Sequence, residues 1–279
     1  MANFSAAEVK RLREATGAGM MDCKNALTEC DGDFDKAIEA LRLKGVKDAG
    51  KRATRTAANG LVTAALDGHS AGVLVELNCE TDFVAKTDLF QRTAADIAAA
   101  ALAHRPADRL ALLAVEVRPG ITVQQLIDEA GVALKEKIEI GGYALLEGGY
   151  IASYLHKKDP DLPPTIGALV QLDAPSEQAG KDLAQQVAAM RPRYLNRDQV
   201  PADVVEKERS IVEQITRDEG KPEQAVPKIV EGRLGAFFKD VTLIEQPFVK
   251  DQKRTVKQML SEQGVTAQGF ALFEVGKAG

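Results

Sequence analysis

Glu76-Leu77-Asn78-Cys79-Glu80-Thr81-Asp82-Phe83-Val84-Ala85-Lys86 joins two stretches of opposite character. Before it, Gly72-Val73-Leu74-Val75-Glu76-Leu77 is apolar and β-branched, the composition of a strand. After it, Thr87 to His104 is alanine-rich and reads as a long helix. The polar residues between them predict a surface loop, since a buried loop would strand its backbone N–H and C=O groups. One large apolar side chain, Phe83, stands in that loop beside the carboxylate of Asp82. Such a phenylalanine either folds back to cap the adjacent helix or is offered to a partner.

Upstream, Leu61 to Leu66 is a second strand-like run, and the intervening Asp67-Gly68-His69-Ser70 predicts a hairpin turn. Farther out, Lys44 to Arg55 is basic and weakly periodic, with Lys44, Lys47, Lys51, Arg52 and Arg55. It reads as a solvated linker rather than a nucleic-acid contact. Three short helices precede it. Ser5-Ala6-Ala7-Glu8 is a capping box, followed at helical spacing by Val9, Leu12 and Ala15. Thr16-Gly17-Ala18-Gly19 breaks that helix, a second runs from about Met21 through Leu27, and Asp31-Gly32-Asp33 stops it. Asp33 then caps a third helix carrying Phe34, Ala37, Ile38 and Leu41. The three predict a mini-bundle similar to a ubiquitin-associated domain, with a core small enough to gain from docking on a partner.

Downstream the pattern occurs twice. Thr122-Val-Gln-Gln-Leu-Ile-Asp-Glu-Ala-Gly-Val matches Thr255-Val-Lys-Gln-Met-Leu-Ser-Glu-Gln-Gly-Val, and Gly142-Tyr-Ala-Leu-Leu-Glu matches Gly269-Phe-Ala-Leu-Phe-Glu. Ile138 to Leu146, Tyr150 to Leu155, Ile166 to Leu172 and Phe270 to Val275 read as strands, and Glu177 to Met190 as a helix. The fold class is therefore α+β: two tandem halves, each a small antiparallel sheet covered by helices. The second half carries an insertion. Asp203 is placed to cap a helix with Val204, Val205, Ile211, Val212 and Ile215 on one stripe. Gly220-Lys221-Pro222 reverses the chain, and Val226, Ile229, Val230 and Leu234 make the returning stripe. Pro227 and Gly232 weaken that second helix, which starts at Val226 or bends there. This predicts a projecting antiparallel helical hairpin. The expected units are residues 1–55 (helical unit plus basic linker), 56–149 and 150–279, with the hairpin at about 195–238.

Composition narrows the function. Apolar residues make up 45% and charged residues 28%, as in an ordinary globular protein, and the net charge of −5 does not favour nucleic acid or anionic membrane. No apolar run is long enough to span a bilayer, and the N-terminus lacks a signal pattern, so a cytoplasmic protein is expected. Three cysteines without CxxC spacing read as reduced thiols, and His69, His104 and His156 lack metal-ligand spacing. Cys79 has no histidine assignable as its base, Gly17 and Gly19 form no phosphate loop, and Glu80 with Asp82 reads as a solvated acidic pair rather than a Mg²⁺ site. No cofactor, metal or catalytic residue is expected; the chain is read as acting by contact.

Two motifs carry a resemblance. Thr81-Asp82-Phe83-Val84-Ala85-Lys86 and Leu12-Arg13-Glu14-Ala15-Thr16-Gly17-Ala18-Gly19-Met20-Met21-Asp22-Cys23-Lys24 are similar to the two signatures of the bacterial elongation factor Ts family. Val230-Glu231-Gly232-Arg233-Leu234 is a third match far downstream. The resemblance implies guanine-nucleotide exchange on elongation factor Tu, bound to GDP or nucleotide-free. It implies that the Thr81, Asp82, Phe83, Val84 loop inserts into the GTP-binding domain with Phe83 as wedge, dislodging Mg²⁺. It makes Lys10 and Arg13 ion-pair candidates with the GTPase, Met20 and Met21 contact residues, and His156 a contact near the phosphate loop. Adjacent helical residues point about 100° apart, so Met20 and Met21 cannot both face one small core, whatever the family. Some family members dimerise where the hairpin lies, and many continue into a C-terminal helical module that this chain is expected to lack. A passive adaptor without effect on nucleotide, and a Cys79-dependent enzyme, are the competing readings.

Overall fold

The computed structural model describes residues 4–52 and 54–277, and for 45–52 the backbone alone. The chain opens with helices α1 (Ala6–Thr16), α2 (Met20–Glu29) and α3 (Phe34–Arg52). Ser5 caps α1: its hydroxyl accepts from the Glu8 N–H at 3.3 Å, while the Glu8 carboxylate accepts from the Ser5 N–H at 2.6 Å. Val9, Leu12, Cys23, Ala26, Leu27, Ala37 and Leu41 close a small core. Much of the basic run at residues 44–55 is helical, because α3 continues through it to Arg52. Lysine, arginine and alanine are good helix formers, and a helix already nucleated at Phe34 needs no apolar stripe to continue. Lys44 pairs with Asp22 at 2.8 Å and Arg55 with Glu80 at 3.2 Å, whereas the side chains of Lys47, Lys51 and Arg52 lie outside the described residues.

Strands β1 (Asn59–Asp67) and β2 (Ala71–Cys79) form the hairpin around residues 67–70. Helices α4 (Asp82–Ala85), α5 (Asp88–His104) and α6 (Arg109–Leu113) follow, then the short pair β3 (Glu116–Arg118) and β4 (Ile121–Thr122). Helix α7 (Val123–Leu134) leads to β5 (Glu139–Glu147), which returns antiparallel beside β2. The order then repeats. Strands β6 (Tyr150–His156) and β7 (Ile166–Leu172) pair, and α8 (Glu177–Met190) follows. After the inserted helices α9 (Ala202–Asp218) and α10 (Val226–Val241) come β8 (Pro247–Phe248) and β9 (Asp251–Thr255). Helix α11 (Val256–Glu262) leads to β10 (Ala267–Glu274), which returns beside β7.

Among the described residues the two sheets thus have equivalent orders, β1-β2-β5 and β6-β7-β10. Thr122 with Gln125 and Thr255 with Gln258 form matching capping boxes. Helices α5 and α8 both end on a left-handed arginine, Arg105 and Arg191, each at φ 49°. Each arginine reaches the glutamate that ends its half's last strand: Arg105 to Glu147 at 2.9 Å, Arg191 to Glu274 at 2.7 Å.

Helices cover one face of each sheet, as the α+β reading expects, and the stacking of the two sheets adds what that reading did not contain. The other faces meet each other, burying Val62, Leu74, Ile151 and Leu169 between them with Leu155 and Phe273 alongside. On the outer face of the first sheet, Val73, Val75 and Leu77 pack on Phe90, Ala94 and Ile97 of α5. The second sheet places Ala168, Val170 and Leu172 against Leu183, Ala184 and Val187 of α8. Close stacking requires small residues where the sheets approach. A Cβ on Gly142 would lie 2.7–2.9 Å from the Phe273 ring, and one on Gly167 2.4 Å from Val62. The sheets are joined at one end by His69, whose ring stacks on Tyr150 at 4.1 Å and whose carbonyl accepts from the Ile151 N–H at 2.7 Å. Past β10, Gly276 comes against the Ala58 carbonyl, so the end of the second half meets the start of the first.

The inserted helices α9 and α10 pack on each other through Val212, Val226, Val230 and Leu234. Two details differ from the sequence reading. Asp203 does not cap α9, whose N-cap position is Pro201 without a side-chain bond. Ile211 and Ile215 face solvent rather than the partner helix; the inner positions are Val212 and Thr216. Thr216 is tolerated inside because its hydroxyl donates to the Val212 carbonyl at 2.5 Å.

Glu274 supplies a pH test of the second half. Burial alone would raise its pKa, but hydrogen bonds from Arg191, Lys158 and Lys277 outweigh that and hold it at about 2, below the ordinary 4.5. The lowered value means that the carboxylate stabilises the fold fully above pH 4.5, and that this is lost as pH falls toward 2. Glu274→Gln should cost about 2 kcal/mol at neutral pH, with the gap in unfolding midpoint closing in acid. An equal gap at pH 7 and pH 2.5 would show that the charge contributes nothing.

Candidate functional site

The Phe83 corner is built by two successive caps. Beyond β2 the backbone turns at Glu80, and Thr81 caps α4, its hydroxyl accepting from the Val84 N–H at 3.3 Å. Thr87 caps α5 in the same way, accepting from the Phe90 N–H at 3.3 Å and donating to the Val84 carbonyl at 2.8 Å. The expected loop is therefore a turn of helix, too short to leave a periodic signal in the sequence. Val84 and Ala85 point into the core beside Phe90, so Val84 is buried and Thr81 is held by its bonds. Asp82 sits half-buried in the first turn of α4. Phe83 remains 77% exposed and does not fold back on α5.

The corner is also fastened from behind. The Glu136 carboxylate accepts from the Glu80 N–H at 3.0 Å, from the Thr81 N–H at 3.1 Å and from the Thr81 hydroxyl at 2.6 Å. Glu80 in turn accepts from the Lys137 N–H at 2.6 Å, and the Asn59 side chain donates to the Glu80 carbonyl at 2.8 Å. Sequence reasoning missed Glu136 and Asn59, because each is tied to the corner only by long-range pairing and stands in no motif.

Met20 and Met21 open α2 and are both exposed, at 45% and 62%. The next residue, Asp22, bonds Lys44 and also lies 3.7 Å from Lys135, which immediately precedes Glu136. The methionines and Phe83 are thereby anchored to one short segment, residues 135–137. His156 ends β6, exposed, with its Nδ1 3.2 Å from the Tyr154 hydroxyl. Its carbonyl accepts from the Thr165 N–H, the adjacent Pro164 carbonyl accepts from the Val62 N–H, and β1 begins at the Asn59 that holds Glu80. His156 and Phe83 thus lie at the same end of the stacked sheets. Lys10 and Arg13 are exposed on α1, where Lys10 pairs with Glu14 at 3.7 Å. No hydrogen bond or ion pair among the described residues ties either to the Phe83 corner.

The arrangement suits contact rather than covalent chemistry. The Cys79 thiol is pushed up to about 12 by burial, with the negative charge of Glu136 adding to it, and its Sγ donates to the Thr81 carbonyl at 3.1 Å. Such a thiol stays protonated at neutral pH and is no nucleophile. Glu80 is engaged by Arg55 and by the Lys137 N–H, which leaves Asp82 without a paired carboxylate for a cation. Among the described residues no cluster of His, Cys, Asp and Glu is placed to hold a metal, and no helix is long and apolar enough to cross a membrane.

The profile of the family described as Elongation factor TS matches residues 80–277. Elongation factor Ts of Thermobifida fusca is 60% identical over 278 residues, covering the whole of both chains. That of Acidothermus cellulolyticus is 57% identical and that of Streptomyces coelicolor 53%, each over 99% of this chain and all of the relative.

Burial separates the three thiols. Cys79 and Cys23 are buried, and burial also raises the Cys23 thiol, whereas Cys30 is half-exposed. Iodoacetamide at neutral pH should label Cys30 well before the other two in the folded protein. Peptide mass spectrometry showing Cys79 alkylated as fast as Cys30 would contradict this.

Proposed function

Since the chain belongs to the elongation factor Ts family and is thereby a translation elongation factor, we propose that it is a guanine-nucleotide exchange factor that releases GDP from elongation factor Tu, working in the cytoplasm without cofactor. The observation that carries this reading is Phe83, 77% exposed on a corner whose neighbours are capped and buried. Leaving a phenylalanine in water forgoes about 2 kcal/mol of burial, and a doubly capped corner prevents the side chain from recovering it at home. A partner's cleft recovers it instead.

Linkage sets the requirement for exchange. A partner accelerates nucleotide release only if it binds the empty GTPase more tightly than the loaded one. Phe83 meets this when the space it enters opens as the phosphate-binding elements and their Mg²⁺ shift. Asp82 travels with it as a neighbouring negative charge, while Thr81 and Val84 set its direction from the protein side. Met20 and Met21 offer adaptable apolar contact, Lys10 and Arg13 charge, and His156 a further polar contact at the Phe83 end of the sheets. The exposed Ile211 and Ile215 give the hairpin an apolar face suited to self-association. A passive adaptor would use the same helical surface but would have no need of a fixed, exposed phenylalanine.

Phe83→Ala separates these readings. The unfolding midpoint should stay unchanged, because the side chain fills no core space. Binding to nucleotide-free elongation factor Tu should weaken more than binding to its GDP complex. Loss of one buried aromatic anchor is on the order of 2 kcal/mol, so stimulated GDP release should fall more than tenfold. A stable variant with undiminished release would end the wedge reading, whereas an adaptor predicts no stimulated release from the wild-type protein either.

A further inference from the structure

We infer that Glu136 is a positioning residue for exchange: its carboxylate fixes the direction in which Phe83 leaves the protein. This rests on the reading of Phe83 as the inserted side chain. The geometry is specific to the corner. One carboxylate oxygen of Glu136 accepts the Glu80 and Thr81 N–H groups at 3.0 and 3.1 Å, and the other accepts the Thr81 hydroxyl at 2.6 Å. With its proton committed to Glu136, the Thr81 hydroxyl presents a lone pair to the Val84 N–H, which is the cap of α4. A single helical turn has no stability of its own, so α4 exists only as its caps dictate. Glu136 therefore acts on Phe83 through Thr81, two residues away, without touching the aromatic ring's outer face.

The support is reciprocal. As Glu136 holds residues 80 and 81, Glu80 holds the Lys137 N–H at 2.6 Å, so the two segments clasp each other. The clasp starts at Lys135, in left-handed conformation at φ 60°, where the chain leaves α7. Lys135 also faces Asp22 at 3.7 Å, next to Met21. Residues 135–137 consequently register the methionine surface against the phenylalanine corner, and an error there displaces one contact relative to the other. Misplacement of a reacting or inserting group by about 1 Å is enough to cost orders of magnitude in rate.

The test compares reach with charge. Glu136→Gln keeps the length and one acceptor oxygen, whereas Glu136→Asp keeps the charge but is a methylene too short for Thr81. Stimulated GDP release from elongation factor Tu should fall on the order of tenfold in Glu136→Asp and Glu136→Ala, and fall less in Glu136→Gln, whose oxygen keeps the two N–H bonds while its NH₂ meets the Thr81 hydroxyl oxygen as a donor. A charge effect on the GTPase would give the opposite order and overturn the inference. In a Phe83→Ala background, Glu136→Asp should cause no further loss; an additive loss would show that Glu136 acts elsewhere. A second readout needs no GTPase. The chain lacks tryptophan, so Phe83→Trp supplies a single tryptophan at the corner, excited selectively over the tyrosines. Adding Glu136→Asp should lower its anisotropy and raise its quenching by acrylamide, at nearly unchanged unfolding midpoint. If Phe83→Ala itself leaves release intact, the wedge reading falls, and the role of Glu136, which acts through Phe83, falls with it. If Phe83→Ala impairs release but folded Glu136→Asp and Glu136→Ala do not, only the present inference falls. Should Glu136→Ala not fold, Glu136→Asp and Glu136→Gln alone decide it.

Discussion

Everything at the candidate site depends on β2 being buried along its whole length. Each of its positions from Ala71 to Cys79 is buried, because the strand lies between α5 on one side and the second sheet on the other. A strand enclosed on both faces has no freedom to slide or tilt without opening two interfaces at once. Its end is therefore a fixed point, and the Phe83 corner is attached directly to that end. Stacking the sheets also brings the start of β1, the end of β6 and His156 to the same end of the molecule. The two-sided core is thus what sets Phe83 and His156 at one end of the stacked sheets.

Polar bonding completes what packing begins. The corner holds its backbone donors through Thr81, Thr87 and Glu136, so α4 is neither frayed nor collapsed onto α5. Burial of Val84 and Ala85 turns the preceding Phe83 outward, since the side chains of one helical turn cannot all share one direction. The exposed ring is a consequence of satisfying everything around it. Cys79 belongs to the same economy: its burial and its bond to the Thr81 carbonyl make it a structural thiol at the root of the corner.

Much of this was legible in the residues. The capping box at Ser5 placed a helix start, because the cap is a local bond between residues three apart. The duplicated Thr-Val-x-Gln and Gly-x-Ala-Leu segments revealed the tandem halves, and the predicted α+β class stands. The stacking of the sheets was present only as missing alternation: Val73-Leu74-Val75 and Leu169-Val170 are apolar on both faces, which a strand covered on one side has no need to be. The hairpin stripe was misread at Ile211 and Ile215 because hydrophobicity is a poor guide where a threonine can satisfy its own hydroxyl inside, as Thr216 does. Glu136 was beyond reach. A carboxylate fifty-five residues from Thr81 leaves no trace in spacing.

The meeting of Gly276 with the Ala58 carbonyl gives the paired halves the connectivity of a closed ring. One junction is the Gly148-Gly149 turn between β5 and β6; the other is a contact across space between the entry to β1 and the exit from β10. Topologically, the order of the halves is then a matter of which junction is covalent. A circular permutant joined between residues 276 and 58 and opened between Gly148 and Gly149 would present the same stacked sheets with the second half first. The clasp on Phe83 lies wholly within the first half and would be inherited intact.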